Sequence, residues 1–339
     1  MNTALNISSG PHIRDGWTTR SVMLTVAASL LPTAVLGVVF HGLNALWVIL
    51  LAVASAVASE WVFDKICHKP DTWKDGSAVV TGLLLALNLS TNVPLWQCAL
   101  GSIFAIVLVK CAFGGMGHNF ANPAIVGRIG LLLSFTTQMT TWPLTRLSRT
   151  ADVVTGPTPL GLLADGALSE APSLGNMFVG NIGGAMGETC TIAIFIGLAI
   201  LIWKKIISPI IPVCYIGTVF VFSLIYYAVV GGEYSALHMA LFHVLAGGCV
   251  FGATFCATDY VTSPIMKHAK IAFGIGCGLV TMIIRLFCAY PEGASFAILF
   301  MNVMAPLLDM VAQNRFYGIG AEEKAAKKAA KEAGKEAGK

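Results

Sequence analysis

Apolar stretches long enough to cross a bilayer recur along almost the whole chain, and this leaves it few ways to fold. About 17 to 25 predominantly apolar residues are what an α-helix needs to traverse the hydrocarbon core. Ten candidates, two of them irregular, lie at 20–40, 44–63, 77–90, 95–113, 122–139, 187–206, 209–230, 236–257, 270–289 and 292–311. Hydrophobic residues make up 56% of the 339, charged residues only 11%, and the mean hydropathy is +0.77, more than a soluble core of this size requires. The sequence therefore predicts an all-α polytopic membrane protein. The polar, aromatic start MNTALNISSGPHIRDGW has no short apolar region before a small-residue cleavage site, so the first span is expected to stay.

The short loops give an orientation. With Arg14 and Arg20 cytoplasmic, ten crossings return the C-terminus to that side, and every lysine falls there too; Arg146 and Arg149 dissent from within a long loop. Residues 1–19 are then a cytoplasmic N-terminus, 140–186 an outward-facing loop, and 312–339 a cytoplasmic Ala/Lys/Glu tail suited to solvent, anionic lipid or a partner.

The two halves echo each other. The third span carries Thr81-Gly82 and ends in NLSTNVP; the eighth carries Gly252-Ala253 and ends in ATDYVTSP. Phe-Ala recurs at 120–121 and 296–297. This spacing predicts two five-helix repeats, 20–139 and 187–311, and an odd helix count inverts the second relative to the first, an arrangement in which interrupted helices meet near the midplane. The third span is short, and the eighth contains Gly247, Gly248 and Gly252.

Ionisable residues at membrane depth are costly and are read first as functional. Glu60, Asp64, Arg128, Glu188, Asp259, Arg285 and Asp309 qualify, with Asp64, Asp259 and Asp309 read as headgroup-level. Arg285, well inside the ninth span, requires an anion, a carboxylate or a set of carbonyls. The nine cysteines contain no CxxC pair and read as small packing residues; the histidines lack a metal pattern, and no phosphate-loop or dinucleotide motif occurs. Neither a catalytic residue nor a metal ligand nor a nucleic-acid-binding feature is assigned. A redox cofactor would have to be carried by the membrane domain or its loops.

The outward loop contains Asp152-Val153-Val154-Thr155-Gly156-Pro157-Thr158-Pro159-Leu160. Pro157 and Pro159 fix their own φ and bias Gly156 and Thr158 to extended backbone, so Thr158 should not lie within a helix. Such a segment is also ordinary turn chemistry between two spans.

DVVTGPTP resembles the pattern D-x-x-[ST]-G-A-[ST] that a flavin transferase modifies. The chain around it is similar to the family of the D subunit of the Rnf ferredoxin:NAD oxidoreductase and, more distantly, the B subunit of the sodium-pumping NADH:quinone oxidoreductase. The supporting segments are DGSAVVTGLLLALNL (75–89), GGMGHNFANPAIVGR (114–128), GNIGGAMGETC (180–190), GATFCATDYVTSP (252–264) and YPEGASFAILFMN (290–302).

The resemblance implies FMN esterified through its phosphate to Thr158, with Asp152, Thr155 and Gly156 matching the transferase recognition pattern, Pro157 replacing its Ala, and Thr155 the less favoured acceptor. It also implies an electron-relaying, Na+- or H+-translocating complex in the bacterial or archaeal cytoplasmic membrane. Its partners would be an FMN-carrying G-type subunit, membrane A- and E-type subunits, a cytoplasmic NAD-binding C-type subunit and the transferase. A non-covalent riboflavin near GGMGHNFANP is a further implication, although Asn122-Pro123 there equally reads as the cap and first residue of a helix. Ten spans in two inverted halves also describe a non-redox solute channel of urea-channel-like architecture, or a scaffold for flavoprotein partners.

Overall fold

The computed structural model describes residues 16–69, 71–146, 155–231, 234–288 and 292–313. Its helices are α1 (Thr19–His41), α2 (Leu43–Ile66), α3 (Ser77–Leu87), α4 (Leu95–Phe104, continued by a π-helix Ala105–Cys111), α5 (Pro123–Ser134), α6 (Thr136–Thr140), α7 (Pro159–Ala164), α8 (Leu174–Val179), α9 (Thr191–Trp203), α10 (Ile210–Val230), α11 (Ala236–Leu245), α12 (Cys249–Phe251, continued by a π-helix Gly252–Cys256), α13 (Lys267–Phe287) and α14 (Ala294–Gln313). No strand occurs among the described residues. Each of the ten apolar stretches carries helix, but they do not all span alike. Five helices, α1, α2, α10, α13 and α14, are long and apolar enough to cross, and α11 with α12 forms an apolar pair bent by 60°, a broken span or a re-entrant loop. The stretches of α3, α4, α5 and α9 are shorter apolar helices.

The short helices trade helical length for unwound backbone inside the protein, the only place such backbone is tolerated at membrane depth. After α3 the chain unwinds through 88–94, yet Asn88, Leu89 and Ser90 are buried. The irregular stretch 182–190 before α9 is buried throughout. The two segments satisfy each other: Gly187 N donates to Leu87 O at 2.7 Å and Met186 N to Leu89 O at 3.4 Å. Outward faces are apolar, with Trp47 59% and Val229 82% exposed, as expected where the solvent is lipid.

Packing repeats along the chain. α2 packs on α3 and α4, and α10 packs on α11 and α13; α1 meets α9, and α5 meets α14. Nearly all of α3 is buried, so the core lies around it.

Polar groups place the loop before α3. Lys110 Nζ lies 2.7 and 2.8 Å from the two Glu60 carboxylate oxygens and donates to Ser77 Oγ at 2.6 Å. Thr72 Oγ1 reaches Glu60 at 2.9 Å and Asp64 at 2.9 Å, and Thr72 N donates to Asp64 Oδ2 at 2.9 Å. Lys110 and Glu60 are 2% and 1% exposed and Asp64 is 2%. Asp64, in the last turn of α2, is a buried clamp on the 71–76 loop. A π-turn adds a residue and rotates the rest of the helix by about 100°. Lys110, near the end of the π segment, is the side chain that reaches the interior. On the exposed part of that loop, Lys74 lies 2.7 Å from Asp71 and holds its carboxyl below the usual range, a solvated contact of little energetic weight. Asp309 binds Ile265 N and Met266 N at 3.0 Å and so ties the start of α13 to α14.

Removing one partner from a buried ion pair leaves an uncompensated charge and costs about 3–5 kcal/mol, whereas replacing both by apolar groups is far milder. Lys110→Met is expected to lower the thermal midpoint in detergent sharply, and Lys110→Met combined with Glu60→Leu to recover most of the loss.

Candidate functional site

The prolines of the loop before α7 act as the sequence requires, but in a packed setting. Thr155 forms an isolated antiparallel bridge with Pro143, and Gly156 N donates to Trp142 O at 3.1 Å. A Cβ on Gly156 would lie 3.0 Å from Leu144 Cδ2, so glycine permits this close approach. Thr158 is extended (φ −71°, ψ 160°) and N-caps α7, its Oγ1 accepting from Gly161 N at 3.1 Å, with Pro159 opening the helix. Thr155 is exposed, whereas Thr158 is 8% exposed. Asp152 lies outside the described residues.

Thr158 is buried because it forms part of the wall of a cavity of about 270 Å³. Pro157, Trp142 and Met139 contribute from the loop side, Ile129 and Leu132 from α5, and Phe296 from α14. This is close to the lower end of small-molecule sites, roughly 300 Å³. One corner is polar. Arg128, 5% exposed in the middle of α5, donates to Ser295 Oγ at 2.5 Å and pairs with the Glu292 carboxylate. The sequence singles out Arg128 for its depth. Glu292 and Ser295 carry no comparable signal, because Glu292 is the first residue of the tenth apolar stretch, where an acid reads as an ordinary span edge.

Behind this wall lies the break between α11 and α12. Gly247 (φ 66°) and Gly248 (φ 62°) take left-handed backbone, while Gly252 stays helical inside the π segment. The break strands carbonyls at the C-terminus of α11, and Arg285 from α13 collects them, bonding His243 O and Ala246 O (2.8 Å) and Gly247 O (3.2 Å). Of the partners open to Arg285, it is the carbonyl set that the structure provides. Leu160, two residues after Thr158, packs where a Cβ on Gly247 would point. The Thr158 segment thus rests on the broken helix. Glu188 approaches Gly248 from the opposite side; its Oε1 has no hydrogen-bond partner among the described residues.

The GGMGHNFANP segment behaves as a helix start. Asn122 Oδ1 accepts from Ala124 N at 3.0 Å, Pro123 is the first helical residue, and Asn122 Nδ2 donates to Cys256 O at 3.2 Å. The adjoining cavity, which includes Met116, Asn119 and Asn122, has a volume of about 70 Å³. No group of three or more His, Cys, Asp or Glu suited to a metal occurs among the described residues.

Fold and site together define a multi-pass helical membrane protein whose irregular segments meet internally and in which the loop before α7 places a threonine hydroxyl on a cavity. Comparison with known families agrees and is more specific. The chain belongs to the NQR2, RnfD, RnfE family, whose model matches residues 6–318. It is 45% identical to the D subunit of the Na(+)-translocating ferredoxin:NAD(+) oxidoreductase complex of Acetobacterium woodii, covering 95% of this chain and 98% of that one. It is 40% identical to the D subunit of the proton-translocating ferredoxin:NAD(+) oxidoreductase complex of Clostridium ljungdahlii, over 92% and 96% of the two chains. With the D subunit of the ion-translocating oxidoreductase complex of Stutzerimonas stutzeri the identity is 36%, over 89% and 93%.

A non-glycine residue in left-handed backbone costs about 1–2 kcal/mol, and a Cβ on Gly248 would also lie 2.6 Å from Glu188 Oε1. Gly248→Ala is expected to lower the melting temperature, while Gly217→Ala, in α10 with open space around it, leaves it unchanged or slightly raised.

Proposed function

We propose that this chain is the membrane D subunit of a ferredoxin:NAD+ oxidoreductase complex of the Rnf type, relaying electrons and coupling them to outward transport of Na+ or H+. FMN would be joined to Thr158 by a phosphoester. The observation that carries this reading is the placement of Thr158: extended, within a motif matching at Thr155 and Gly156, and in the wall of a cavity with Trp142, Met139 and Phe296. A flavin when bound supplies both one- and two-electron chemistry, while the protein tethers and orients it. Thr158 anchors and does not catalyse, since a threonine hydroxyl needs activation to act as a nucleophile; a separate flavin transferase would provide that during maturation.

The residues fit such a tether. Thr158 Oγ1 offers the ester oxygen, and the apolar wall offers a surface for an aromatic ring that enters from the loop side. Proline at 157 keeps the backbone that the motif requires although it replaces the usual alanine. A non-covalent riboflavin near GGMGHNFANP would lie beside Met116, Asn119 and Asn122, which line a separate cavity.

The subunit would work in the cytoplasmic membrane with both termini inside and the Thr158 loop outside, in two inverted five-helix repeats. On the outer side it would exchange electrons with an FMN-carrying G-type subunit. Membrane A- and E-type subunits and a cytoplasmic NAD-binding C-type subunit would complete the path, so no complete active site resides in this chain alone. The relatives from A. woodii and C. ljungdahlii are named for different ions, and the choice between Na+ and H+ belongs to measurement.

When the chain is produced together with a flavin transferase, the denatured gel band is expected to fluoresce as flavin, and mass spectrometry to place the FMN increment on Thr158. Thr158→Ala abolishes both, and Thr155→Ser, which still fits the motif, retains the increment on Thr158; vesicles bearing a Thr158→Ala complex lose redox-driven ion uptake. A dark wild-type band would favour the solute-channel reading instead.

A further inference from the structure

Resting on the reading that Thr158 carries a flavin, we propose that Arg128, pinned between Glu292 and Ser295, receives the electron-rich pyrimidine edge of the ring and sets its reduction potential. Arg128 and Glu292 are the only charged groups among the described residues lining the cavity, and they stand together in one corner of an otherwise mainly apolar wall. An isoalloxazine has the matching polarity, an apolar dimethylbenzene end and a pyrimidine end bearing carbonyl oxygens and ring nitrogens. The apolar wall of Trp142, Met139 and Phe296 suits the first end, and the polar corner suits the second.

The guanidinium is built to act on that edge. It is 5% exposed, projects from the middle of a helix, and is oriented by Ser295 Oγ at 2.5 Å and by the Glu292 carboxylate. Those bonds employ two of its five N–H donors. A fixed donor in a site largely closed to water stabilises charge without reorganising when the charge arrives. When the ring accepts two electrons, from an iron–sulfur or flavin carrier of a neighbouring protein in the complex or from dithionite in the experiment, together with one proton, it carries a net negative charge centred on the pyrimidine end. Arg128 favours that reduced form, and Glu292, the nearest opposing charge, limits the effect. The pair therefore holds the potential between the values either charge alone would give.

Opposite signs are expected for the two partners, a result that a merely structural role would not give. The full-length chain, produced with the transferase, is titrated spectroelectrochemically, and flavin attachment is read separately from gel fluorescence. Arg128→Gln moves the midpoint to more negative potential, and Glu292→Gln moves it to more positive potential. Each changes the reduced-to-oxidised ratio at the wild-type midpoint by about tenfold or more, because a unit charge a few ångströms away in a low-dielectric site exceeds thermal energy several-fold. The double variant returns toward wild type, and Arg128→Lys keeps the wild-type direction with a smaller shift. Should Arg128→Gln fail to accumulate, Glu292→Gln, close in shape to the native residue, decides alone. A fluorescent band with unshifted midpoints overturns the role of Arg128 and leaves the attachment standing; a dark wild-type band overturns the attachment and this inference with it.

Discussion

Arg285 collecting the carbonyls of a broken helix is the interaction on which the rest of this structure leans. Inside an apolar layer every backbone N–H and C=O must find a partner in the protein, since there is no water to supply one. The chain breaks α11 at Gly247 and Gly248 and thereby strands the carbonyls of His243, Ala246 and Gly247, which Arg285 takes up from α13. The same demand is met elsewhere by pairing one irregular segment with another. Gly187 serves the end of α3, and Asn122 both caps α5 and binds Cys256 O at the end of the second π-helix. Irregular backbone is thus answered by partners from elsewhere in the protein interior.

That arrangement explains the position of the cavity. Leu160 packs against the break at Gly247, so the segment carrying Thr158 is seated on the least helical part of the membrane domain. The cavity opens beside it, between α5, the loop and the start of α14, because short helices leave space that full-length neighbours would fill. The segment that carries Thr158 is held by the Pro143–Thr155 bridge and by Gly156 N to Trp142 O. Its threonine is the cap of a short helix facing the interior.

Two ion pairs stand out, one buried and one partly buried. Lys110 with Glu60 fixes the loop before α3, and Arg128 with Glu292 joins α5 to the start of α14. Neither is explained by stability alone, because apolar replacements of similar volume serve as well or better. The first pair is satisfied from all sides by Ser77 and Thr72 and reads as architecture. The second borders a cavity, and there charge is available to whatever the cavity holds.

By itself the sequence determined what depends on neighbours along the chain: helices wherever some twenty apolar residues run together, the cap at Asn122-Pro123, the extended backbone of Thr158 between two prolines, and the break at Gly247-Gly248. Each arises from local sterics or from hydrophobic length, which act over a few residues. It could not tell which of those helices would stop short, because a buried helix and a lipid-facing one are equally apolar and hydropathy does not separate them. That Asp64 would clamp Thr72 was not legible, because the contact depends on how the loop folds back over α2. Only the tertiary structure decided that Arg128 would meet Glu292, 164 residues away, and that Arg285 would serve carbonyls rather than an anion. Charges in a membrane interior choose partners by three-dimensional proximity, and no local pattern encodes that choice.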